Sequence, residues 1–168
     1  MLALAGNKDL NLCATGLNEI VEEVISDRLA EAGQRQIEWR VGELPRVQCD
    51  RPLMKQLLVN LLGNCVKYTG ARDQAIIEIG QTMVDGQPAI FVRDNGAGLN
   101  MNSAGKLFSV FQRFHRQEEF KGSGIGLATV YRIIQRHGGH IWAISEPEKG
   151  ATFYFTLRWA GALAASTA

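Results

Sequence analysis

The chain has 168 residues, of which 46% are apolar and 21% charged, and its formal net charge is +1. This length predicts a single domain with a sizeable core, and the balanced charge argues against binding to nucleic acid or to an anionic membrane surface. The three cysteines are widely spaced and odd in number, which indicates reduced thiols in a cytosolic setting and argues against a disulfide framework or a metal site. No apolar run is long enough to span a membrane, and the first six residues lack the pattern of a signal peptide.

The first half of the chain predicts short strands and two longer helices. Runs of alternating or mostly apolar residues predict strands over residues 9–14, 37–41 and 47–49. Apolar residues at helical spacing predict helices over residues 17–32 and from about 51 to a close at 70–73. Gly33 is placed to end the first helix, and Asp50 is placed to cap the start of the second.

A hairpin and a long connection follow. Strands are predicted over residues 75–84 and 87–94, on either side of Asp85-Gly86, the strongest short hairpin signal in the chain. Residues 95–121 are polar and irregular apart from a short helical piece over 106–114. A connection of this length in a compact domain is usually functional or mobile.

The chain closes with a helix and two strands, predicted over residues 122–137, 139–145 and 151–157. The whole order mixes strands and helices, with hairpins joining the later strands. It therefore predicts an α+β fold, in which helices cover one face of a mostly antiparallel sheet, and not a doubly wound parallel sheet.

A polar stripe interrupts the second predicted helix. On a helical wheel, Asn60, Asn64 and Lys67 share a stripe that is separate from the main apolar face. Two turns earlier the same stripe carries Leu53 and Leu57, so it does not simply face water. Amides that point toward an interior need hydrogen-bond partners, which either the fold or a ligand must supply.

A second candidate site begins at the end of the hairpin, at Asp94. This residue shares a strand face with Ile90 and Val92, so its carboxylate is expected to point toward the core and to accept hydrogen bonds, for instance from the exocyclic amine of a base. Gly96 and Gly98 allow a sharp turn or a close approach of the backbone to a ligand. Taken alone, the segment is explained equally well by a tight turn with a capping aspartate.

Three glycines, Gly122, Gly124 and Gly126, open the last predicted helix, and free N–H groups at a helix N-terminus bind anions. A dinucleotide-binding motif requires a strand directly before these glycines, and the preceding residues are polar. A Walker-type motif requires Lys and then Ser or Thr after the last glycine, whereas Leu127 and Ala128 stand there. If this loop holds phosphates, it does so in another fold.

Lys67, Arg113 and Lys121 are candidate partners for phosphate groups. Each of them, taken singly, is better explained by an exposed surface charge. The histidines form no metal-binding spacing with the cysteines, and no Ser/His/Asp or Cys/His arrangement is legible.

Five segments occur in one order along the chain, residues 60–69, 94–99, 107–113, 122–128 and 150–152. Together they resemble the catalytic ATP-binding domain of bacterial sensor histidine kinases, a branch of the ATPase superfamily shared with DNA gyrase and MutL-type repair proteins. The resemblance covers about residues 9–157. It implies a Bergerat-type fold, a two-layer sandwich with three helices on one face of a mixed, mostly antiparallel sheet, and it implies ATP and magnesium as cofactors.

The resemblance also implies roles for single residues. Asn64 would bind the magnesium that bridges the ATP phosphates, Lys67 would reach those phosphates, and Asp94 would accept the adenine amino group. Asn60, Lys67 and Arg113 are the residues implied in catalysis, Arg113 in a mobile lid near the γ-phosphate. Thr152 would line the adenine pocket. The other implied nucleotide-binding residues are Asn60, Tyr68, Gly96, Gly98, Leu99, Lys121, Gly122, Ser123, Gly124, Ile125, Gly126 and Leu127.

Departures from the family pattern carry information. Asn60 stands where gyrase-type relatives carry a general-base glutamate, and an amide cannot act as that base, which favours a kinase over an ATPase. Cys65 replaces the usual alanine, and Val110 replaces a frequent proline. No histidine precedes His115, so the phosphoacceptor histidine of the family is expected on another domain.

The resemblance thus predicts an ATP-binding domain over 9–158, between an N-terminal tail or remnant of a longer protein over 1–8 and a flexible tail over 159–168. Its implied partners are a histidine-bearing dimerisation domain of the same parent and a downstream response regulator. The parent is expected to be a homodimer, and the domain to be cytoplasmic without membrane contact. Three alternatives remain open: a gyrase or MutL-type ATPase module, an anti-sigma-type serine kinase, and a degenerate domain that only docks a partner.

Overall fold

The computed structural model describes residues 10–31, 33, 35–98, 124–146 and 148–157. Within them lie, in order, β1 (Leu12–Gly16), α1 (Leu17–Glu31), β2 (Ile37–Val41), β3 (Arg46–Asp50), α2 (Arg51–Tyr68), β4 (Ala75–Val84), β5 (Gln87–Asp94), α3 (Gly124–Arg136), β6 (Ile141–Ser145) and β7 (Ala151–Phe155). Strands β2, β4 and β5 begin and end where the sequence predicts, and the other elements differ by a few residues at their ends. The helical piece predicted over 106–114 lies outside the described residues.

The strands form two sheets. Strands β2, β4, β5, β7 and β6 lie side by side in that order, and all neighbours are antiparallel except β2 and β4, which are parallel. Strands β1 and β3 form a separate antiparallel pair. The α+β class and the mixed, mostly antiparallel sheet predicted from the sequence are therefore confirmed.

Helix α2 is the central helix, because it contacts α1, α3 and strands β4 and β5. The core between the helices and the sheet is built from apolar side chains that include Leu57, Leu61, Ile77, Val92 and Phe153. The opposite face of the sheet carries Phe91, Tyr154 and Trp142, the last two stacked with ring centroids 5.5 Å apart. None of the described helices is long and apolar enough to cross a membrane.

Asp50 sets the start of α2. One carboxylate oxygen accepts the Leu53 N–H at 3.3 Å, as the sequence predicts for an N-cap, and the other accepts the Asn11 N–H at 3.1 Å. The backbone N–H of Asp50 donates to Nε2 of His137 at 3.0 Å. One residue thus joins the start of α2 to the segment before β1 and to the end of α3.

Candidate functional site

The predicted polar stripe of α2 lines a single cavity of about 470 Å³. Asn60, Asn64 and Lys67 lie on its wall, as the helical spacing predicts. The remaining lining residues come from α1, α2 and α3, namely Arg28, Gln56, Val59, Gly63, Gly126 and Thr129. The structure therefore brings the asparagine stripe together with the first turn of the last helix.

Asn64 is the buried member of this stripe, with 7% of its surface exposed. Its side-chain Nδ2 has no hydrogen-bond partner within the described residues. A buried amide without a partner is costly in a folded protein, which is why such groups are rare. Since the amide nitrogen and oxygen can exchange places by a flip of the side chain, this position can present either a donor or an acceptor to the cavity.

Gly126, in the first turn of α3, faces Asn60 of α2. A Cβ atom on Gly126 would lie 3.6 Å from Oδ1 of Asn60, an ordinary van der Waals distance, so packing alone does not require glycine at this position. Leu127, by contrast, is buried in the apolar core. Only its backbone is therefore available to a ligand. The backbone of Gly124 and Ile125 is helical, as the first turn of α3.

The Asp94 carboxyl group is buried at the end of β5, with 3% of the residue exposed. Its Oδ1 accepts the Gly96 N–H at 2.8 Å, and its Oδ2 has no partner within the described residues. Burial raises the pKa of Asp94, and hydrogen bonds from the Gly96 N–H and from the Cys65 thiol oppose this shift. The prediction that this carboxylate points toward the core is confirmed by the burial.

Two glycines let the loop after Asp94 approach its neighbours. A side chain on Gly96 would overlap the carbonyl of Tyr68, at the end of α2, and a side chain on Gly98 would overlap the carbonyl of Glu146. Gly98 also has φ +75, a conformation that favours glycine. The Ala97 N–H donates to the Tyr68 carbonyl at 3.1 Å. The glycines therefore serve backbone packing, which seats the Asp94 loop on the end of α2.

Arg72 holds the same loop and was not singled out from the sequence. Its guanidinium donates to the carbonyls of Asn95 at 2.8 Å, Gly96 at 3.0 Å and Glu148 at 2.7 Å. It therefore fixes the loop after β5 to the turn before β7. No sequence signal marks this residue, because all three acceptors are backbone carbonyls, which every residue carries.

Thr152, which the resemblance implies in the adenine pocket, pairs with Arg93 across the sheet and accepts a hydrogen bond from Nε of Arg93 at 3.3 Å. Successive residues of a strand point to opposite faces. Ala151, which is buried and pairs with Asp94, takes the place on the inner face.

Five of the implied site residues lie outside the described part of the chain. These are Leu99, Arg113, Lys121, Gly122 and Ser123. Among the described residues, no group of three His, Cys, Asp or Glu side chains is arranged to hold a metal ion.

Comparison with known proteins matches the part of the chain that contains the candidate site. The family model of histidine kinase-, DNA gyrase B- and HSP90-like ATPases matches residues 49–161. The methanogenesis regulatory histidine kinase FilI of Methanothrix harundinacea is 41% identical over 140 residues, which is 83% of this chain and 16% of FilI. The phytochrome-like protein Cph1 of Synechocystis is 35% identical over 149 residues, which is 87% of this chain and 19% of Cph1.

Solved structures agree. The nucleotide-free catalytic domain of histidine kinase ThkA superposes with a TM-score of 0.71 at 27% identity, over 89% of this chain and 96% of that domain. Full-length ShkA in complex with AMPPNP superposes with a TM-score of 0.69 at 28% identity, over 92% of this chain and 32% of ShkA.

The chain spans less than a fifth of the length of FilI or Cph1, but nearly the whole of the ThkA catalytic domain. It therefore corresponds to one domain of these proteins. The matched segment includes α2, Asp94 and α3, which form the candidate site. The chain belongs to the histidine kinase-, DNA gyrase B- and HSP90-like ATPase family, and it is a catalytic ATP-binding domain of the histidine kinase type.

Proposed function

We propose that this domain binds ATP along the polar side of α2 and supplies its γ-phosphoryl group to a histidine on another domain. The observation that carries the proposal concerns two buried polar atoms that find no hydrogen-bond partner among the described residues, Asp94 Oδ2 and Asn64 Nδ2. Asp94 lies beside the loop that is seated on the end of α2, and Asn64 lies within α2 itself. A ligand that donates a hydrogen bond to Asp94 Oδ2 and presents a polar atom to Asn64 Nδ2 would remove the free-energy cost of leaving both atoms unpaired.

Adenine fits the Asp94 end of the site. An exocyclic amine would donate to Oδ2, while Oδ1 stays occupied by the Gly96 N–H at 2.8 Å. The apolar Ala151 beside Asp94 leaves room that a larger side chain would take. Recognition by a fixed, buried acceptor rejects bases without an amine at that position, because the acceptor would then remain unpaired.

The triphosphate fits the cavity on the same helix. The Lys67 ammonium and the asparagine amides line it, and magnesium accepts hard oxygen ligands such as an amide oxygen and phosphate oxygens. Asn64 would hold the cation through its side-chain oxygen after an amide flip. Bound magnesium would neutralise part of the phosphate charge, while Asn64 and Lys67 orient the chain of phosphates.

Asn60 favours transfer to a protein over hydrolysis. The residue contacts the first turn of α3 at Gly126 and lines the cavity. A carboxylate at this point could take a proton from an attacking water, whereas an amide has no such basicity. ATP would therefore be spared until an acceptor histidine arrives.

The proposal extends to the parent protein. The domain would span residues 9–158, with tails at 1–8 and 159–168, inside a larger cytoplasmic chain or cytoplasmic segment. That parent would be a homodimer, with the acceptor histidine on a dimerisation domain and a response regulator as the final phosphate acceptor. This arrangement accords with the small share of FilI and Cph1 that the chain covers.

Calorimetric titration with ADP and magnesium tests the adenine contact. Asp94→Ala is expected to abolish measurable binding and to leave the fold intact, because the side chain ends a strand and its loss removes a buried charge. Asp73→Ala, in the exposed turn before β4, is the matched control and should bind as the unaltered protein does. Unchanged ADP affinity in the Asp94 variant would remove Asp94 from the site.

A phosphotransfer assay tests the reaction. The purified domain is mixed with labelled ATP and the dimerisation domain of its own parent, and acid-labile, base-stable label on the histidine is the expected product. Label on a partner serine would instead favour the anti-sigma-type kinase, and rapid magnesium-dependent release of free phosphate would favour the gyrase or MutL type. Failure to bind ATP or ADP at all would leave only a docking role.

A further inference from the structure

A cation from α1 reaches into the phosphate end of the cavity. Nη2 of Arg28 donates to the carbonyl of Val59 at 3.2 Å, so the side chain crosses from α1 onto α2. Gly63 makes room for it, since a Cβ atom there would lie 2.8 Å from Nη2. Sequence reasoning did not single out Arg28, because a lone arginine on an amphipathic helix is ordinarily a surface charge.

The lining of this cavity is suited to an anion. It includes two cations, Arg28 and Lys67, and three amides, Gln56, Asn60 and Asn64, and it includes no carboxylate among the described residues. The two cations stand on different helices, so a polyanion between them would be held from both sides. A guanidinium presents its donors in a rigid fork that matches phosphate oxygens.

The position along α2 selects the part of the nucleotide that Arg28 meets. The Asp94 loop is seated on Tyr68, and the Arg28 guanidinium lies against Val59 and Gly63 of the same helix, nine and five residues earlier, which is about 14 and 8 Å at 1.5 Å per residue. Arg28 therefore reaches the cavity at the end far from the adenine contact. That end is where the terminal phosphate of an adenine nucleotide would lie.

We infer that Arg28 is a further nucleotide-positioning residue, which holds the γ-phosphate of ATP from the α1 side of the cavity. The inference rests on the proposed function, because it takes the nucleotide to lie along α2 with its adenine at Asp94. Arg28 and Lys67 would then fix the γ-phosphate between them. This contact distinguishes ATP from ADP, which lacks the group that Arg28 holds.

The test compares ATP and ADP affinities in one series of calorimetric titrations with magnesium. Arg28→Gln is expected to weaken ATP binding about tenfold, as the loss of one charge-assisted contact does, and to change ADP binding much less. Arg51→Gln is the matched control, since Arg51 also bridges α2 and α1, through Glu23 at 3.3 Å, but lies outside the cavity lining. Gly63→Ala keeps the charge and displaces the guanidinium, so it should lower the ATP-to-ADP affinity ratio in the same direction.

The ratio of the two affinities within one variant does not depend on the fraction of folded protein, so a partly unfolded variant remains informative. An unchanged ratio in Arg28→Gln, with normal binding by the unaltered protein, would overturn the role of Arg28 and leave the proposed function standing. An unchanged ratio in Gly63→Ala would count against the placement of the guanidinium. No binding of either nucleotide by the unaltered protein would overturn the proposed function, and the inference with it.

Discussion

At the scale of single residues, the site is a set of groups that the fold leaves incompletely satisfied. Within the part of the chain that the structure describes, the buried Asp94 carboxyl group has one oxygen paired and the other unpaired, and the buried Asn64 has an unpaired amide nitrogen. Each such group destabilises the empty domain, because water is removed without a replacement partner. A bound ligand would offset this destabilisation. The stability of the domain without nucleotide therefore reports on the site.

Asp94→Asn is expected to stabilise the empty domain at neutral pH by roughly 1 kcal/mol, the order of the penalty for an unsatisfied buried group. The sign follows from the pKa of Asp94, which burial raises. The folded state then holds the proton more tightly than the unfolded state, so stability falls as the pH rises from the ordinary aspartate pKa through the raised one. The advantage of the variant should therefore shrink as the pH is lowered through that window.

Urea unfolding of both proteins over a series of pH values measures this difference. Asp73→Asn, in an exposed turn, provides the reference and should unfold at the same urea concentration as the unaltered domain. A variant that is less stable than the unaltered domain at neutral pH would mean that the carboxylate contributes to the fold. Asp94→Asn should also weaken nucleotide binding, because an amide is a poorer acceptor than a carboxylate for the adenine amine.

At the scale of elements, α2 carries most of the site, and its ends are fixed by contacts to other parts of the chain. Asp50 holds the first turn, and the Tyr68 carbonyl at the last turn receives the Asp94 loop. Arg35 adds a second hold on the last turn, with hydrogen bonds of 2.8 Å to the carbonyls of Val66 and Thr69. A helix anchored at both ends presents its amides to the cavity in a fixed position.

Asp50→Ala is expected to lower the free energy of unfolding by about 1–2 kcal/mol, because it removes the N-cap of α2. Chemical denaturation followed by circular dichroism measures the change. Asp27→Ala is the control, since this exposed residue of α1 makes only a 3.7 Å surface ion pair with Lys55 and should cost little. Equal destabilisation by the two substitutions would contradict the capping role.

At the scale of the whole molecule, the sequence predicts where helices and strands lie along the chain better than it predicts which strands pair with each other. The hairpin of β4 and β5 is predicted to the residue because Asp85 and Gly86, both with positive φ, supply the chemistry of a tight turn locally. The parallel pairing of β2 with β4 depends on contacts between distant segments, and no local pattern encodes it. The face on which Thr152 lies also depends on a distant segment, since the inner face of β7 is set by its register with β5.

Among the residues of the site, too, local patterns predict some positions, whereas others depend on contacts that only the folded structure provides. Asn60, Asn64 and Lys67 come from one helix, so helical spacing alone predicts that they lie together. Asp94 comes from a strand, and the alternation of that strand predicts its burial. The contacts of Arg28 and Arg72 are different, because the folded structure decides where the end of a long side chain lies. Both guanidinium groups donate hydrogen bonds to backbone carbonyls. A backbone acceptor leaves no trace in residue identity, which is why sequence reasoning missed both.

The carbonyl contacts of Arg72 have a consequence for transplanting this binding loop. A graft that copies residues 94–98 into another scaffold would carry Asp94 and both glycines but would leave behind the guanidinium that ties Asn95 and Gly96 to Glu148. The portable unit is therefore discontinuous: it consists of the loop, the arginine that follows α2, and the turn between β6 and β7. An engineer who transfers these pieces must also keep the side chains at 95 and 148, because Asn95 accepts the Ile76 N–H at 2.8 Å and donates to the Gln74 carbonyl at 3.1 Å, and the Glu148 carboxylate lies 3.5 Å from the Arg72 guanidinium.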